Sequence, residues 1–300
     1  MQIAVILSTY NAPERLVPTL IGYAAQQAAD FELIIADDGS TGDTRNSVQD
    51  VAESYNMTIR HVWQPDEGFR KCRILNQAVL ATHADYLIFS DGDCIPRADF
   101  VATHAASARR GCFLSGGYVK LTSETSGHIT PDAILKGNAT DPDWLLAHGT
   151  PRSSKLGKLR AHGWQAKLMN AITPTRATWN GHNSSCWRDD LLRVNGYDER
   201  MAYWAQDREF GERLVNASVR GLQIRYSAIC VHLHHERPYK TEASRERNRE
   251  IRAETRARRA TWTEHGIHKT SQRPQSPAAN LEDDVTVEAF GPLHRQRTAA

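Results

Sequence analysis

Long apolar runs are missing from this sequence, and so is a leader. No apolar stretch in the 300 residues approaches the roughly 20 residues needed to cross a bilayer. Residues 1–7 carry neither the basic start nor the cleavage site of a secretory signal. We therefore expect a globular protein of the cytoplasm, and we predict that residues 2–8 form a strand.

Cysteine and net charge are also low. The five cysteines are odd in number and scattered, without a CxxC pair, so neither a disulfide framework nor a thiolate zinc site is predicted. The formal net charge is only +2. This value argues against a protein that binds nucleic acid over its whole surface.

The sequence does contain an alternation of strand-like and helix-like segments. Short apolar, β-prone runs alternate with stretches whose apolar residues recur at helical intervals. The strand-like runs are 2–8, 31–36, 59–63 and 86–90, and the helix-like stretches are 13–27, 43–55 and 69–82. Because parallel strands need crossover connections of this length, the pattern predicts an α/β protein with a mainly parallel sheet.

Polar motifs follow three of these strands, and sheets of this class bind ligands at the carboxyl ends of their strands. Two acids separated by one glycine can both turn toward one divalent cation, which could neutralise a diphosphate. For the two motifs that contain Asp and Gly a plain turn is the alternative, because both are common turn residues. The motifs are Ser8-Thr9-Tyr10-Asn11, Asp37-Asp38-Gly39-Ser40 and Asp91-Gly92-Asp93.

The order of these motifs resembles the family 2 glycosyltransferases of GT-A fold, in particular bacterial galactosyl- and N-acetylgalactosaminyltransferases. The resemblance covers residues 1–240. It implies a Rossmann-like, mostly parallel central sheet with helices on both faces and an acceptor-side lobe. Residues 1–120 would form the nucleotide-binding half and residues 121–240 the acceptor and catalytic half. Within the latter, residues 122–178 lack regular patterning, and we expect loops and short helices there.

The resemblance assigns the first two motifs to the donor nucleotide. Thr9, Tyr10 and Asn11 would line the nucleotide, with Tyr10 packed on the base. Asp38 would accept a hydrogen bond from the uracil N–H. Gly92, with its neighbouring acids, would lie beside the donor. The alternative for the second motif is a turn that caps the following helix.

A cationic segment follows the third strand. Arg70, Lys71 and Arg73 fall in the first turn of a predicted helix, where the helix dipole disfavours cations unless an anion binds nearby. Similar transferases place such a segment beside the donor diphosphate. Arg70 and Arg73 are therefore predicted phosphate contacts, and Asn76 a packing or donor residue. For Lys71 we favour a solvated surface charge.

The catalytic half contains a polar segment around Asn183 that suits a sugar pocket. In similar enzymes this segment forms the floor under the donor sugar, and a tryptophan, here Trp204, precedes an acidic pair. Gln206 replaces the first acid of that pair, so Asp207 is the predicted catalytic base that takes the proton from the acceptor hydroxyl. Helix capping is the alternative role for Asp207, and Glu209 is the competing acid.

Three histidines follow a predicted strand at residues 223–231. In similar metal-dependent transferases, a histidine here completes a site with Asp91 and Asp93, and imidazole beside carboxylate suits Mn²⁺. His232 is the first choice and His235 the second, with Mg²⁺ as the alternative ion. Zinc is disfavoured because no cysteine joins the cluster.

Three further segments complete the chain. Residues 155–169 interleave cations with apolar residues, and we expect a solvated amphipathic segment, with contact to an anionic lipid surface as the alternative. Residues 241–270 include a helix dense in Arg and Glu, which indicates a solvated face, with a membrane face or an anionic partner as the alternative. The composition of residues 271–300 indicates a disordered tail.

These features predict a metal-dependent inverting glycosyltransferase, where inversion is implied by the resemblance. The enzyme would move a sugar from a UDP-sugar to a hydroxyl of a glycan or lipid-linked glycan, in bacterial surface polysaccharide or lipopolysaccharide synthesis at the inner face of the membrane. A sugar-phosphate nucleotidyltransferase is an alternative, although residues 8–13 lack a glycine-rich phosphate loop. A non-catalytic glycan-binding module is another, and it would need neither cation site nor base. No nucleic-acid partner is predicted.

Overall fold

The chain is built on one large mixed sheet and one small sheet. The computed structural model describes residues 1–27, 30–236, 241–271, 274 and 279–292. The strands are β1 (Ile3–Thr9), β2 (Glu32–Asp37), β3 (Ile59–Trp63), β4 (Tyr86–Asp91), β5 (Cys94–Pro96), β6 (Cys112–Ser115), β7 (Gly117–Lys120), β8 (Ser184–Trp187), β9 (Arg220–Gln223), β10 (Ile229–His232) and β11 (Thr286–Phe290). The helices are α1 (Pro13–Ala24), α2 (Gly42–Ser54), α3 (Lys71–Leu80), α4 (Phe100–Ser107), α5 (Ser123–Gly127), α6 (Pro131–Leu135), α7 (Pro142–Ala147), α8 (Gly157–Arg160), α9 (Gly163–Ile172), α10 (Arg188–Arg193), α11 (Gln206–Asn216) and α12 (Glu242–Ala257).

The large sheet has the strand order β11-β3-β2-β1-β4-β8-β6-β9. Its central strands β3, β2, β1 and β4 are parallel. Alternate residues of β1 enter different cores: Ala4 and Ile6 pack into one, and Val5 and Leu7 into the other. Burial on both faces explains why these strands are continuous apolar runs in the sequence. Among the described residues, no helix has both the length and the hydropathy to span a bilayer.

The register of the parallel strands brings the polar motifs to one edge. Thr9 pairs with Asp37, and Ser8 pairs with Asp91. The three motifs that follow β1, β2 and β4 therefore meet where those strands end. Gly92 is needed here because a Cβ at this position would lie 3.0 Å from the Ser8 carbonyl oxygen.

The small sheet brings the end of the catalytic half to the same edge. Its order is β5-β10-β7, with β10 antiparallel to β5 and parallel to β7. His232 at the end of β10 pairs with Cys94, which directly follows Asp93. The backbone N–H of Leu233 also donates to the Asp93 carbonyl at 2.9 Å. Two residues about 140 positions apart in sequence are thus fixed side by side by strand pairing.

Three predictions from the sequence need correction. The strand predicted at 223–231 is divided, because β9 ends at Gln223 and β10 begins at Ile229. The helix expected to be solvated, α12, buries Ile251 in the core beside α11. The predicted disorder of the tail is wrong for β11, which pairs antiparallel with β3 and buries Phe290. The remaining tail positions 272–273, 275–278 and 293–300 lie outside the described residues.

Candidate active site

Asp93 faces two histidines at the carboxyl edge of the sheet. Its Oδ2 lies 2.9 Å from Nε2 of His235, and its Oδ1 lies 3.7 Å from Nε2 of His232. The two imidazole rings are stacked, with centroids 5.3 Å apart. The structure therefore brings together three of the four predicted metal ligands, and His235, the second choice from the sequence, is the nearer histidine.

Both rings turn Nε2 toward the Asp93 carboxylate. Nδ1 of His232 lies 2.7 Å from the Leu233 carbonyl, and Nδ1 of His235 lies 2.7 Å from the Glu236 carbonyl. A carbonyl oxygen only accepts, so Nδ1 of each ring is the donor in these bonds. Nε2 is then the atom that can either donate a proton to Asp93 or share a divalent ion with it. Carboxylate and imidazole ligands fit a divalent ion such as Mn²⁺.

Cys94 also belongs to this cluster, which the sequence argument against zinc overlooked. Its Sγ and ligand atoms of Asp93 and His232 all lie within 4.8 Å of one another. Burial raises the pKa of the Cys94 thiol well above its usual value, which keeps the metal-free thiol protonated. The thiol instead donates to Oδ1 of Asp93 at 3.4 Å.

Asp91 faces a different cation. Its Oδ1 accepts from Nζ of Lys71 at 2.6 Å and from the Ser8 hydroxyl at 2.9 Å. Burial opposes ionisation, but the Lys71 ammonium outweighs it and lowers the pKa of Asp91 well below its usual range. The two acids of the motif thus have separate partners, contrary to the expectation that both turn toward one ion. Direct coordination by Asp91 stays a prediction.

The solvated role predicted for Lys71 is wrong. Its side chain is only 17% exposed and lies among acids. Burial disfavours the charged ammonium, but Asp91 and Asp207 outweigh it and raise its pKa. Position alone did not distinguish Lys71 from its neighbours, because all three cations of this segment begin the same helix.

Asp207 is the second residue of α11 and lies in the same charge cluster. Burial raises its pKa to about 6, Lys71 lowers it, and Asp91 raises it. The backbone of Gly181 hydrogen-bonds the carboxylate, while the buried Oδ1 has no hydrogen-bond partner among the described residues. A buried carboxylate with a pKa near neutral and one uncommitted oxygen has the properties of a general base.

The contacts of α11 support neither of the alternatives, which were a capping role for Asp207 and a catalytic role for Glu209. The cap position is Ala205, and no side chain caps the helix. Glu209 is only 1% exposed and is bound bidentately by Arg213, at 2.7 and 2.9 Å, and by the Thr255 hydroxyl at 2.9 Å. Glu209 therefore stabilises the packing of α11 against α12 and does not face the cluster around Lys71.

The backbone before Asp207 is strained. Trp204 and Ala205 have φ of 87° and 66°, in the left-handed region that non-glycine residues avoid at a cost of about 1–3 kcal/mol each. The Asn248 amide of α12 donates to the carbonyls of Ala202, Tyr203 and Trp204 at 2.9, 3.2 and 2.5 Å. These three hydrogen bonds clamp the loop that carries Trp204. The Trp204 side chain is 37% exposed and lies three residues before Asp207 in the sequence. Its predicted contact with the donor stays a prediction.

On the nucleotide side, the loops after β1 and β2 are joined. The Thr9 carbonyl accepts from the Asp38 N–H at 3.0 Å, and the Asn11 N–H donates to the Ser40 hydroxyl at 2.8 Å. Burial raises the pKa of Asp38 to about 6, and its oxygens accept from the Gln64 amide and the Arg70 N–H. These contacts bring the predicted nucleotide residues into one patch.

Tyr10 is the exposed residue of this patch. It is 47% exposed, and its hydroxyl donates to Oδ2 of Asp66 at 2.9 Å. This bond fixes the phenol ring at the loop surface, where a nucleobase could pack on its face. The Arg70 guanidinium lies nearby in the same loop, paired with Glu67 at 2.7 Å.

Two predicted donor contacts serve the fold instead. The Arg73 guanidinium pairs with Glu282 and Asp284 of the C-terminal segment and donates to Gln64. Asn183 is 0% exposed. Its amide donates to backbone carbonyls of β7 and of residue 228, and its Oδ1 lies 2.9 Å from a ring nitrogen of His104. The hydrogen-bonding capacity of these side chains is thus taken up by the protein.

Asn76 is likewise structural, and His182 is a site neighbour that the sequence argument missed. The Asn76 amide donates to the Tyr197 carbonyl and to Glu199. Burial lowers the pKa of His182 to about 4, with Asp91 among its charged neighbours. Its ring lies 4.4 Å from that of Tyr118. The only signal for His182 was its place in the polar segment around Asn183.

A comparison of the sequence with known families finds a match over the first part of the chain. Residues 4–148 match the family described as Glycosyl transferase family 2. This part of the chain is similar to a family 2 glycosyltransferase domain. The matched range includes the motifs after β1, β2 and β4 and ends before Asp207, His232 and His235.

The relatives that this chain matches are longer proteins. The chondroitin synthase of Escherichia coli is 24% identical over 227 residues, which cover 71% of this chain and 32% of that relative. The first curated relatives are matched over between 23% and 51% of their own length. The chain therefore corresponds to about half of each relative or less.

Solved structures are similar to this chain in fold. A mannosyltransferase from Pyrobaculum calidifontis in complex with GDP-Man and Mn²⁺ superposes with a TM-score of 0.56 at 16% identity, covering 86% of this chain and 64% of that one. Residues 1–349 of S. aureus TarS in complex with UDP-GlcNAc give 0.55 at 16% identity, covering 84% and 64%. The prediction of the GT-A fold is confirmed.

Proposed function

We propose that this protein is a metal-dependent inverting glycosyltransferase that moves a sugar from a UDP-sugar to a glycan hydroxyl. The observation that carries the proposal is the buried charge cluster at the sheet edge. In it, the Lys71–Asp91 pair lies between an uncommitted carboxylate, Asp207, and the carboxylate–imidazole group of Asp93. Solved proteins of the same fold hold UDP-GlcNAc or GDP-Man, the latter with Mn²⁺, which supports a nucleotide-sugar donor.

The chemistry assigned to this chain is a single displacement. Oδ1 of Asp207 takes the proton of the acceptor hydroxyl while the acceptor oxygen bonds to the anomeric carbon. The bond between that carbon and the diphosphate oxygen breaks, and the nucleoside diphosphate leaves. One displacement inverts the anomeric configuration, and no covalent sugar–enzyme intermediate forms.

The other residues of the site bind the donor nucleotide or would neutralise its diphosphate. Tyr10 offers its ring to the uracil, and Asp38 retains lone pairs for the uracil N–H beside those used by Gln64 and Arg70. Asp93, His232 and His235 would hold a divalent ion, Mn²⁺ in preference to Mg²⁺ because of the imidazoles, and the ion would supply charge neutralisation for the departing diphosphate.

The acceptor belongs to the same proposal. The name of the E. coli relative, a chondroitin synthase, supports a growing glycan as the acceptor. We assign the reaction to bacterial surface polysaccharide or lipopolysaccharide synthesis on the cytoplasmic side of the membrane.

The test is a screen of UDP- and GDP-sugars for release of nucleoside diphosphate with Mn²⁺, with Mg²⁺ and with chelator. Transfer to an oligosaccharide acceptor is then compared for Asp207→Asn and for Asp50→Asn, the same change on the exposed face of α2. Loss of the base should lower transfer about 10²–10⁴-fold with UDP affinity retained. The proposal is wrong if no donor is turned over, or if the protein instead converts a nucleoside triphosphate and a sugar phosphate into a nucleotide sugar and pyrophosphate.

A further inference from the structure

One helix of the acceptor-side lobe presents its apolar side chains to solvent. On α9, Trp164, Leu168 and Ile172 are four residues apart and so lie on one face. They are 72%, 50% and 65% exposed, and Met169 beside them is 38% exposed. Ala166 is the buried residue of this helix. An ordinary surface helix turns its apolar stripe to the core, and α9 does the reverse.

The helix is fixed in this orientation by contacts on its other side and at its start. The Asn170 amide donates to the Ser227 hydroxyl at 2.8 Å. Before the helix, the Arg97 guanidinium donates to the carbonyls of Leu159 and Ala161, and Leu159 is buried. Arg97 directly follows β5, the strand that begins after Asp93. The apolar stripe is thus held outward on a segment attached near the candidate active site.

The segment that carries this stripe is rich in cations, although Arg160 is paired with Asp143. No Asp or Glu occurs between Asp143 and Asp189. Six cations lie in residues 151–178, although the whole chain has a net charge of only +2. Five of the six are exposed, and they are Arg152, Lys155, Arg160, Lys167 and Arg176.

We propose that α9 and the basic segment around it dock on the surface of an anionic lipid bilayer. Exposed Trp, Leu and Ile flanked by cations are the composition with which interfacial helices enter the headgroup region, and each cation near an anionic surface adds to the attraction. A second copy of the chain would bring like charges face to face, and a free sugar would leave the aliphatic stripe in water. The inference does not depend on the proposed catalytic chemistry.

The apolar contribution is tested by co-sedimentation of the full chain with vesicles. Binding to vesicles of phosphatidylcholine with added phosphatidylglycerol should exceed binding to phosphatidylcholine alone by about tenfold or more. Trp164→Ser/Ile172→Ser should lower binding to the anionic vesicles by about tenfold. The matched control is Leu135→Ser/Val215→Ser, which removes side chains 52% and 54% exposed elsewhere and should bind like the wild type.

The charge contribution has its own pair of variants. Lys155→Glu/Lys167→Glu should abolish the preference for anionic vesicles, whereas Arg109→Glu/Arg247→Glu, with the same change in net charge at other exposed sites, should keep it. Circular dichroism checks that the variants fold. Brominated lipid should quench the tryptophan emission of the wild type. The quenching should be largely lost in Trp164→Phe, a variant that keeps an aromatic ring on the apolar face.

Three results would overturn the inference. The first is equal pelleting of the wild type with both kinds of vesicle. The second is equal pelleting of the α9 variants and their controls. The third is a dimer of the wild type in light scattering that Trp164→Ser/Ile172→Ser dissociates, since this face would then be an interface between copies of the chain.

Discussion

Nζ of Lys71, the first residue of α3, lies 2.6 Å from Oδ1 of Asp91, the last residue of β4. The charge of this ammonium also acts on Asp207, whose pKa it lowers. One lysine therefore connects the acid motif after β4 to the candidate base on α11. Asp91 would otherwise be a buried carboxylate without a cation, which is costly.

Lys71→Met should move the pH dependence of transfer. The base must be ionised, so wild-type activity is expected to rise with pH through the Asp207 pKa of about 6. Without Lys71 that pKa increases, and the acid limb of kcat/KM should move up by about one pH unit with a lower plateau. Lys136→Met, at an exposed lysine directly after α6, is the control. If the acid limb does not move in Lys71→Met, Lys71 does not set the pKa of the catalytic base.

Asp207→Asn should stabilise the fold at neutral and alkaline pH. Burial raises the folded-state pKa of Asp207 to about 6, above its unfolded value. Its protonation stabilises the fold, and that contribution is complete below the unfolded pKa and is lost as pH rises through about 6. At about pH 8 the variant should therefore be more stable by about 1–3 kcal/mol, and at about pH 4 nearly equal to the wild type. Denaturant titration at both values measures this, and a less stable variant at the higher pH would refute the burial argument.

Asn248→Asp should impair catalysis from outside the charge cluster. The new carboxylate cannot donate to the three carbonyls of the strained loop and is repelled by them, so the loop before Asp207 should relax. We expect kcat to fall about tenfold or more with UDP affinity unchanged. Asn216→Asp is the matched control, because that amide donates to one carbonyl, of Ala260, at 2.9 Å. Equal kcat in both variants would show that the clamp has no catalytic role.

Arg213→Met should destabilise the protein without a specific effect on transfer. It leaves the Glu209 carboxylate buried without its cation, at a cost of about 3–5 kcal/mol in the free energy of unfolding. Arg249→Met, which breaks exposed pairs with Glu242 and Glu246, should change the free energy of unfolding little, because solvent screens these pairs. Thermal and denaturant unfolding measure both. Equal losses in the two variants would mean that burial does not set the strength of these pairs.

The parallel sheet was predictable because apolar runs and helical spacing are local patterns, and the GT-A fold was implied by the resemblance of the strand-end motifs to a known family. The ion-pair partners of residues that are distant in sequence were not predictable. Arg73 pairs with Glu282 and Asp284, about 210 positions away in a segment whose composition indicated disorder. Lys71, two residues earlier, reaches Asp91 instead.

The structural role of Asn183 could not be predicted for a similar reason. A polar side chain in a small-residue segment fits a sugar pocket and a buried hydrogen-bond network equally well. Only the positions of β7, α4 and residue 228 decide between them. Asp207 and the histidines were chosen through resemblance to a family, and their placement near Lys71 and Asp93 depends on strand register that no local pattern specifies.

The central claim is that Asp93, His232 and His235 hold a divalent cation that helps to bind the nucleoside diphosphate. Calorimetry of UDP binding with and without Mn²⁺ tests it most directly, in the wild type and in Asp93→Asn/His235→Ala. We predict that Mn²⁺ tightens UDP binding by about tenfold or more in the wild type and has no effect in the variant. Wild-type UDP affinity that is independent of Mn²⁺, or an equal Mn²⁺ effect in both proteins, would contradict the account.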